Sequence, residues 1–248
     1  MNSNIRIQTL DTTDTSQNWG DAITAIQPSE KLNTISLFTY KWWKGILDRV
    51  MAFLLVVVLS PVLVIITLAI KLDSSGNAIY RREQVGENNR NFIAYKFRTM
   101  KENNNDSEYK KYLAKYILEN APYKVDENGQ AVYKVVDDPR VTRIGSLLRK
   151  TNLDELPQLI NVLKGEMSFI GPRPDIPYAV AMYKDWHKKR LNAKPGITGL
   201  WQVCHRKGIP FEGMVRLDID YIKQQSLLLD TKIALKTVVT ILTKDGSQ

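Results

Sequence analysis

The sequence predicts a mostly helical α+β protein with a re-entrant membrane helix-break-helix, interfacial helices and a small β element. Three observations support this prediction. A run of 21 residues between Arg49 and Lys71 contains no charged side chain. Beyond this run, apolar residues recur with helical spacing in several segments. Two short runs of strand-like composition also flank a turn-prone stretch, and the 44% hydrophobic and 25% charged residues are typical of a globular chain.

The composition excludes several kinds of site. The chain has 248 residues, and 35 Lys and Arg against 26 Asp and Glu give it a net charge of +9. Its single cysteine, Cys204, excludes an intramolecular disulfide and a zinc site built on several cysteines. No Walker loop, dinucleotide-binding fingerprint or HExxH motif is present in the sequence. The positive charge suits a phosphate-bearing partner, either nucleic acid or a membrane surface.

The apolar run VMAFLLVVVLSPVLVIITLAI is long enough to cross a bilayer. As a helix it would extend about 31 Å at about 1.5 Å per residue, compared with about 30 Å for the hydrocarbon core. Pro61 lies at its middle, where its ring removes a backbone donor and crowds the carbonyl of Val57. Ser60 can hydrogen-bond a carbonyl freed in this way and bend the helix further. These residues alone leave both a straight, kinked span and a re-entrant helix open.

The flanks of the apolar run favour the re-entrant alternative. Basic residues lie on both sides, so the positive charge gives a spanning helix no clear orientation. These residues are Lys41, Lys44, Arg49, Lys71, Arg81 and Arg82. Trp42 and Trp43 lie where aromatic side chains gather at a membrane interface. A helix that enters from the cytoplasmic face, bends at Ser60–Pro61 and returns is consistent with both features.

The segments that follow predict strands first and helices afterwards. AIYRR and FIAYKFR predict two strands around the turn-prone GENNRN, and residues 107–119 predict a helix. AVYKVV predicts another short strand. TRIGSLLRK and LDELPQLINVLKG predict two helices joined at Thr151–Asn152, the second of which is closed by Gly165.

Two further helices are predicted nearer the end of the sequence. One covers residues 176–191 and ends before Lys194-Pro195-Gly196, and the other covers residues 227–243. The second carries Lys232 and Lys236 on one face, which suits either the headgroup plane of a membrane or packing on a protein core. Core packing is the more common outcome for such a pattern.

The densest polar cluster lies between Arg149 and Pro157. Thr151 and Asp154 match a capping box, which would account for the acidic residues without any chemistry. A helix N-terminus also attracts phosphate, however, and Arg140 and Arg143 stand just upstream. A carboxylate kept ionised by such cations is a candidate nucleophile or magnesium ligand. Cations, a divalent ion and a positioned nucleophile are what phosphoryl transfer requires.

Three more segments carry cations that suit an anionic substrate. Arg173 lies between two prolines, and these rigid flanks reduce the entropy lost when its guanidinium binds phosphate. Lys96 and Arg98 end a strand-like run. We predict that Arg173, Arg206 and Arg98 bind substrate, although an exposed loop arginine explains the first of these equally well.

Taken together, these segments resemble the bacterial sugar transferase family, the monotopic polyprenyl-phosphate phosphoglycosyl transferases. The resemblance is carried by KWWKGILDRV, YKFRTM, DDPRVTRIGSLLRKTNLDELPQLINVLKGEMSFIGPRP, KPGITGLWQV and RLDIDYI, over residues 41–243. It implies a minimal form in which a polar extension (residues 1–38) precedes a re-entrant membrane-anchoring helix (39–75). A cytoplasmic phosphoglycosyl transferase domain (76–248) would follow.

The resemblance also implies roles for individual residues. Asp154 matches the family nucleophile, which forms an aspartyl phosphosugar intermediate and has Mg²⁺ near it, and Glu155 matches its partner. Arg149, Lys96 and Asp218 match further catalytic positions, and Arg173 matches an arginine associated with the nucleotide. Ser60 and Pro61 match the break that makes the membrane helix re-entrant. One departure is visible, since the usual Gln-x-Arg-x-Gly appears here with Arg82 and Gln84 exchanged.

The activity implied is transfer of a sugar 1-phosphate from a UDP-sugar to undecaprenyl phosphate, with release of UMP, at the start of membrane glycan assembly. The expected location is the cytoplasmic face of the bacterial inner membrane, with phospholipids as further partners and a homo-oligomer allowed. Two alternatives stay open: a membrane-anchored glycosyltransferase that releases UDP, and a non-enzymatic basic scaffold. The basic residues are spread along the chain without a recognition motif, which argues against nucleic acid.

Overall fold

The computed structural model describes residues 34–101, 107–125, 131–133, 138–204 and 209–242, and these are mostly helical with three two-stranded sheets. The helices are α1 (Thr34–Asp73), α2 (Ser107–Glu119), α3 (Arg143–Thr151), α4 (Leu159–Lys164), α5 (Pro177–Val180), α6 (Leu200–Cys204), α7 (Phe211–Gln224) and α8 (Leu227–Leu242). The strands are β1 (Ile79–Val85), β2 (Asn91–Phe97), β3 (Lys124–Val125), β4 (Ala131–Val132), β5 (Ser168–Ile170) and β6 (Gly196–Thr198). Short 3-10 helices lie at Glu87–Asn89, Leu153–Gln158 and His187–Asn192. The predicted mostly helical α+β class is confirmed.

Helix α1 is a single helix of 40 residues that continues through the middle of the apolar run. It begins at Thr34, before the predicted boundary at residue 39. The Ser60 hydroxyl donates to the Val57 carbonyl at 2.8 Å, in place of the amide that Pro61 lacks. The predicted serine hydrogen bond is therefore confirmed. Helical structure continues on both sides of Ser60–Pro61 without a gap, so Pro61 lies inside one helical segment. The re-entrant bend at this point stays a prediction.

Both halves of the apolar run in α1 pack against the rest of the chain. Ala52 lies in a cluster with Phe92 and Val162, and Ile66 and Ile70 lie in a cluster that includes Phe97 and Leu148. The remaining surface of the helix exposes large apolar side chains. Among them are Phe53, Val57, Val58, Ile65, Leu68 and Leu72. Within the described part of the chain, α1 is the one helix long and apolar enough to cross a membrane.

The hairpin of β1 and β2 forms as the sequence predicts. A buried side chain from α4 makes additional hydrogen bonds to β2. The two strands pair antiparallel from Ile79 opposite Phe97 to Val85 opposite Asn91. The fully buried amide of Asn161 in α4 accepts from the Tyr95 backbone at 3.1 Å and donates to the Ile93 carbonyl at 2.6 Å. Asn161 therefore supplies hydrogen bonds that a third strand would otherwise make with β2. No local pattern in the sequence indicates this role.

Several other local predictions are confirmed. Helix α2 has the predicted bounds, and Gly165 closes α4 in the left-handed conformation with φ of +77°. The AVYKVV strand is present as β4, although residues 134–136 of that run lie outside the described segments. The last predicted helix is present as α8. Residues 1–33, Arg206 and Thr243 lie outside the described segments, so predictions that fall on them have no structural counterpart here.

The helix predicted over residues 176–191 is wrong in extent. Only α5 and the 3-10 helix His187–Asn192 form there, with turns between them. The His187 Nδ1 atom accepts from the Lys184 backbone at 3.2 Å, so a side chain replaces a helical carbonyl as the acceptor of that amide. Helices α6 and α7 and the parallel pair β5–β6 were not predicted.

Among the glycines of the described segments, Gly145 leaves the least room for a side chain. A Cβ atom there would overlap the backbone of Thr99, whereas a Cβ at Gly213 in α7 would meet only Ile209 Cδ1 at 3.6 Å. We expect Gly145→Ala to lower the free energy of unfolding by about 1–3 kcal/mol through overpacking. Gly213→Ala should raise it by about 0.5–1 kcal/mol through helix propensity. Thermal unfolding of both variants in detergent checks this, and equal shifts would contradict it.

Candidate active site

A cavity of about 970 Å³ opens between the hairpin, α3 and the segment that contains Arg173. We call it the basic cavity because cations predominate among its charged lining residues. Six of these cations are Lys71, Lys96, Arg98, Arg140, Arg149 and Arg173. Asp154 lines the same cavity. The volume and charge suit a large anionic ligand.

The structure brings together most of the predicted site residues although they are distant in the sequence. Lys96, Arg98, Arg149, Asp154 and Arg173 all line the basic cavity. Glu155 lies behind its wall, where it bonds two of these cations. Of the remaining two predicted residues, Asp218 is buried away from the cavity, and Arg206 lies outside the described residues.

The local backbone at Asp154 excludes the capping-box interpretation. Helix α3 ends at Asn152, which adopts the left-handed conformation with φ of 56°, and Asp154 lies in the following 3-10 helix. The Thr151 hydroxyl donates back to the Leu147 carbonyl at 2.9 Å, so it does not cap the segment that carries Asp154. The residue that does cap α3 is Thr142, which accepts from the Gly145 amide. The ordinary structural explanation for Asp154 is therefore wrong.

Glu155 is a buried carboxylate that holds two cations in place. Its Oε1 atom accepts from Lys96 Nζ at 2.7 Å and from Arg173 Nη2 at 2.8 Å, and its side chain is only 13% exposed. Burial opposes ionisation, but the charges of Arg173 and Lys96 outweigh it and lower the pKa of Glu155 to about 2. Glu155 therefore stays ionised at neutral pH and fixes the positions of both cations.

Asp154 differs from Glu155 in its electrostatics. Burial is the largest effect on its carboxylate and raises its pKa, and the adjacent charge of Glu155 acts in the same direction. Lys96, Arg173 and Arg149 oppose this rise without cancelling it. The surrounding cations therefore favour the ionised carboxylate, as predicted, but they do not outweigh the effect of burial on its pKa. Among the described side chains, none donates a hydrogen bond to Asp154.

Two arginines, one in α3 and one directly after β2, connect the cavity to neighbouring segments. The Arg149 Nε atom donates to Thr99 Oγ1 at 3.0 Å, which links α3 to the residues after β2. The Arg98 Nη2 atom donates to the Ser74 carbonyl at 2.7 Å, just after the end of α1. Lys71, the first charged residue after the apolar run, also lines the cavity. The cavity thus lies next to the C-terminal end of the apolar helix.

Asp218 lies outside the lining of the cavity, and its catalytic role stays a prediction. It is 1% exposed and pairs with Arg190, whose Nε and Nη2 atoms donate to it at 2.9 and 2.6 Å. Arg190 also donates to Asp175 at 2.8 Å and to the Arg173 carbonyl at 2.9 Å. Asp218 therefore acts through Arg190 on the segment that carries Arg173. Sequence reasoning missed Arg190, because the run Lys188-Lys189-Arg190 has the composition of a solvated surface.

The described residues contain no cluster of three or more His, Cys, Asp or Glu side chains that could hold a metal ion. This is compatible with the way magnesium usually binds in phosphoryl-transfer sites, through one or two carboxylates, water and the phosphates of the substrate. Asp154 supplies such a carboxylate at the cavity wall. The Asp154 carboxylate is a donor of the kind that a magnesium ion shared with a substrate uses, and magnesium at this site stays a prediction.

The pKa of Glu155 predicts a dependence of stability on pH. A shift from 4.5 to about 2 corresponds to about 3 kcal/mol of stability, present above pH 4.5 and lost as the pH falls towards 2. At pH 7 we expect the free energy of unfolding of Glu155→Gln to be about 3 kcal/mol lower than that of the unsubstituted protein. At pH 3.5 this difference should be roughly half as large, because part of the Glu155 carboxylate is then protonated in the unfolded chain. Denaturant unfolding at the two pH values measures this. A difference that does not change with pH would contradict it.

Comparison with known proteins shows which sequences this chain resembles. The family model described as Bacterial sugar transferase matches residues 39–244. An undecaprenyl-phosphate galactose phosphotransferase of Salmonella typhimurium is 36% identical over 87% of this chain, which spans only 44% of that relative's length. A UDP-glucose:undecaprenyl-phosphate glucose-1-phosphate transferase of Caulobacter vibrioides is 38% identical over 82% of this chain and 71% of its own. The exopolysaccharide production protein ExoY of Sinorhizobium fredii is 37% identical over 81% of this chain and 85% of its own.

Proposed function

The chain belongs to the bacterial sugar transferase family, and on this basis we propose that it transfers a sugar 1-phosphate from a UDP-sugar to undecaprenyl phosphate and releases UMP. The observation that carries the proposal is Asp154 at the wall of a basic cavity, beside Lys96 and Arg173, whose positions Glu155 fixes. Such a site can hold two anionic substrates in turn. The product would start the assembly of a membrane-bound glycan.

The proposed reaction has two steps at one carboxylate. An Asp154 oxygen attacks the β-phosphorus of the donor, and the bond from that phosphorus to the bridging oxygen breaks, which releases UMP with the electron pair. The lipid phosphate oxygen then attacks the same phosphorus and frees the Asp154 carboxylate. No proton is required in either step when both phosphates are ionised. The covalent intermediate allows the soluble donor and the lipid acceptor to use the cavity one after the other.

The charged residues of the cavity have separate parts in this proposal. Lys96 and Arg173 offset the charge on the transferred phosphoryl group, and Glu155 keeps them from collapsing onto Asp154. Arg149 and Arg98 extend the positive wall towards the membrane helix. The donor phosphates and an Asp154 oxygen would hold Mg²⁺, which would supply further charge neutralisation. Asp218 positions the Arg173 segment through Arg190.

We further propose that α1 enters and leaves the membrane at the cytoplasmic face. The support is that Ala52 and Ile70, near opposite ends of the apolar run, both pack against the domain that carries the cavity. If the run crossed the membrane perpendicular to the bilayer plane, one of its ends would lie far from that domain. Lys71 at the cavity wall would lie near lipid phosphates. Exposed Leu228, Leu235 and Val238 in α8 suit an interfacial position for that helix.

An epitope tag tests this topology. Tags placed before residue 34 and after residue 242 should both be protected from protease in intact spheroplasts and cleaved after lysis. Cleavage of only the first tag in intact spheroplasts would contradict the re-entrant arrangement and favour a straight span.

Nucleotide release tests the reaction. The purified protein should release UMP from one member of a panel that includes UDP-galactose and UDP-glucose, when undecaprenyl phosphate and Mg²⁺ are supplied. UDP as the product would overturn the proposal in favour of a membrane-anchored glycosyltransferase. No nucleotide from a broad panel would favour the non-enzymatic scaffold.

A further inference from the structure

One wall of the basic cavity is formed by three side chains that the proposed chemistry does not use. Arg82 and Gln84 come from β1, and Tyr109 comes from the first turn of α2. In the hairpin register Tyr80 lies opposite Lys96, and alternate residues of a strand point to the same face. Arg82 and Gln84 therefore share the hairpin face of Lys96, on the side where phosphoryl transfer is proposed.

Arg82 and Tyr109 form a cation–π pair at this wall. The Arg82 guanidinium lies over the Tyr109 ring at 5.3 Å from its centroid, and both residues line the cavity. Tyrosine rings and guanidinium planes are the surfaces on which proteins stack nucleobases. A sugar, with hydroxyl groups around a non-planar ring, gains less from such a flat surface.

Gln84 supplies an unsatisfied polar atom beside this pair. Its Oε1 atom is buried and has no hydrogen-bond partner among the described residues, while the residue itself lines the cavity. A buried acceptor without a donor is destabilising, so a ligand N–H that reaches it gains a full hydrogen bond. Uracil has one ring N–H between two carbonyl groups, and a glutamine amide can accept from the N–H and donate to a neighbouring carbonyl.

The wall lies where the nucleoside of a donor would extend. Arg173 bonds Glu155 at 2.8 Å beside Asp154, and its charge acts on both Asp154 and Tyr109. The Val85 amide donates to the Asp175 carbonyl at 2.8 Å, so the segment after Arg173 runs along β1. A donor with its β-phosphate at Asp154 and its α-phosphate at Arg173 therefore points its nucleoside towards this wall.

We propose that Arg82, Gln84 and Tyr109 form a nucleobase subsite, in which the uracil of the donor stacks on the Arg82–Tyr109 pair and donates its ring N–H to Gln84. The inference rests on the proposed function and names how that function selects its nucleotide. Arg82 and Gln84 are also the two positions exchanged relative to the family pattern, so the arrangement is one that this chain's own residues create.

Binding of UMP and of ribose 5-phosphate, which lacks the base, isolates the contribution of this wall. By calorimetry in nanodiscs, the unsubstituted protein should bind UMP roughly 5- to 100-fold more tightly than ribose 5-phosphate. Tyr109→Leu should reduce that ratio to within about twofold while ribose 5-phosphate affinity is retained. Tyr109→Phe should keep the ratio, because the ring remains. Tyr178→Leu is the matched control, since Tyr178 also lies under a cation, Lys110 at 5.7 Å, but outside the lining of the cavity.

Gln84→Leu is a second test of the subsite, and it stays informative even if a Tyr109 variant fails to fold. The unsubstituted protein should prefer UMP to CMP, whose ring nitrogen at the same position is an acceptor, and Gln84→Leu should abolish this preference. An unchanged base-dependent ratio in Tyr109→Leu, or an unchanged UMP preference in Gln84→Leu, would overturn the subsite and leave the proposed function standing. Absence of UMP binding by the unsubstituted protein would overturn both proposals.

Discussion

Asp154→Asn is expected to abolish sugar 1-phosphate transfer, with at least a roughly 10³-fold loss of UMP release. An amide cannot form the proposed acyl phosphate bond, and no second carboxylate replaces it, because Glu155 is bound to Lys96 and Arg173. The nucleotide should still bind, since Arg173 is intact. The measurement is UMP release together with transfer of label from a donor labelled in its β-phosphate to the protein in the absence of acceptor.

The two readouts separate a nucleophile from a structural residue. The unsubstituted protein should acquire the label and Asp154→Asn should not, while both unfold at similar temperatures. Asp185→Asn is the matched control, because the Asp185 side chain is 99% exposed and pairs only with Lys188 among the described residues. That variant should keep its activity within about twofold. Labelling of Asp154→Asn at the rate of the unsubstituted protein would overturn the covalent mechanism.

Local sequence patterns predict those elements of the molecule whose structure depends on interactions between neighbouring residues. The spacing of apolar residues predicts α2 with its observed bounds, and the turn-prone GENNRN predicts the β1–β2 hairpin. The uncharged run predicts the apolar portion of α1. In each case the interaction that selects the structure is formed between residues close in sequence.

The cavity could be predicted only in part. Clustered charge predicts Asp154, the proline flanks predict Arg173, and the structure brings both to one cavity together with Lys96. Polar side chains that act over long sequence separations leave no local signal. Asn161 hydrogen-bonds a strand 66 residues before it in the sequence, and Arg190 pairs with an aspartate 28 residues further on. The catalytic role of Asp218 is predicted from the family resemblance alone, whereas its burial depends on how α7 packs.

Asp218→Ala is expected to lower the free energy of unfolding by about 3–5 kcal/mol. The substitution leaves the Arg190 guanidinium, which is 2% exposed, without the carboxylate that accepts from its Nε and Nη2 atoms. Asp175 still accepts from Arg190 Nη1, but a buried guanidinium that loses one of its two carboxylate partners costs more than the lost hydrogen bonds alone. Denaturant unfolding in detergent measures the change.

Asp220→Ala on the same helix is the matched control. Asp220 pairs with Lys223 at the surface, and its side chain is 42% exposed, so its removal should cost no more than about 1 kcal/mol. Asp218→Ala should in addition raise the KM for the UDP-sugar more than it lowers kcat, because Arg190 donates to the Arg173 carbonyl and the freed segment no longer holds Arg173 against the donor. A residue that touched the reacting atoms would instead lower kcat. Equal losses of stability in the two variants would contradict the buried-pair account, and an effect on kcat alone would return Asp218 to the catalytic centre.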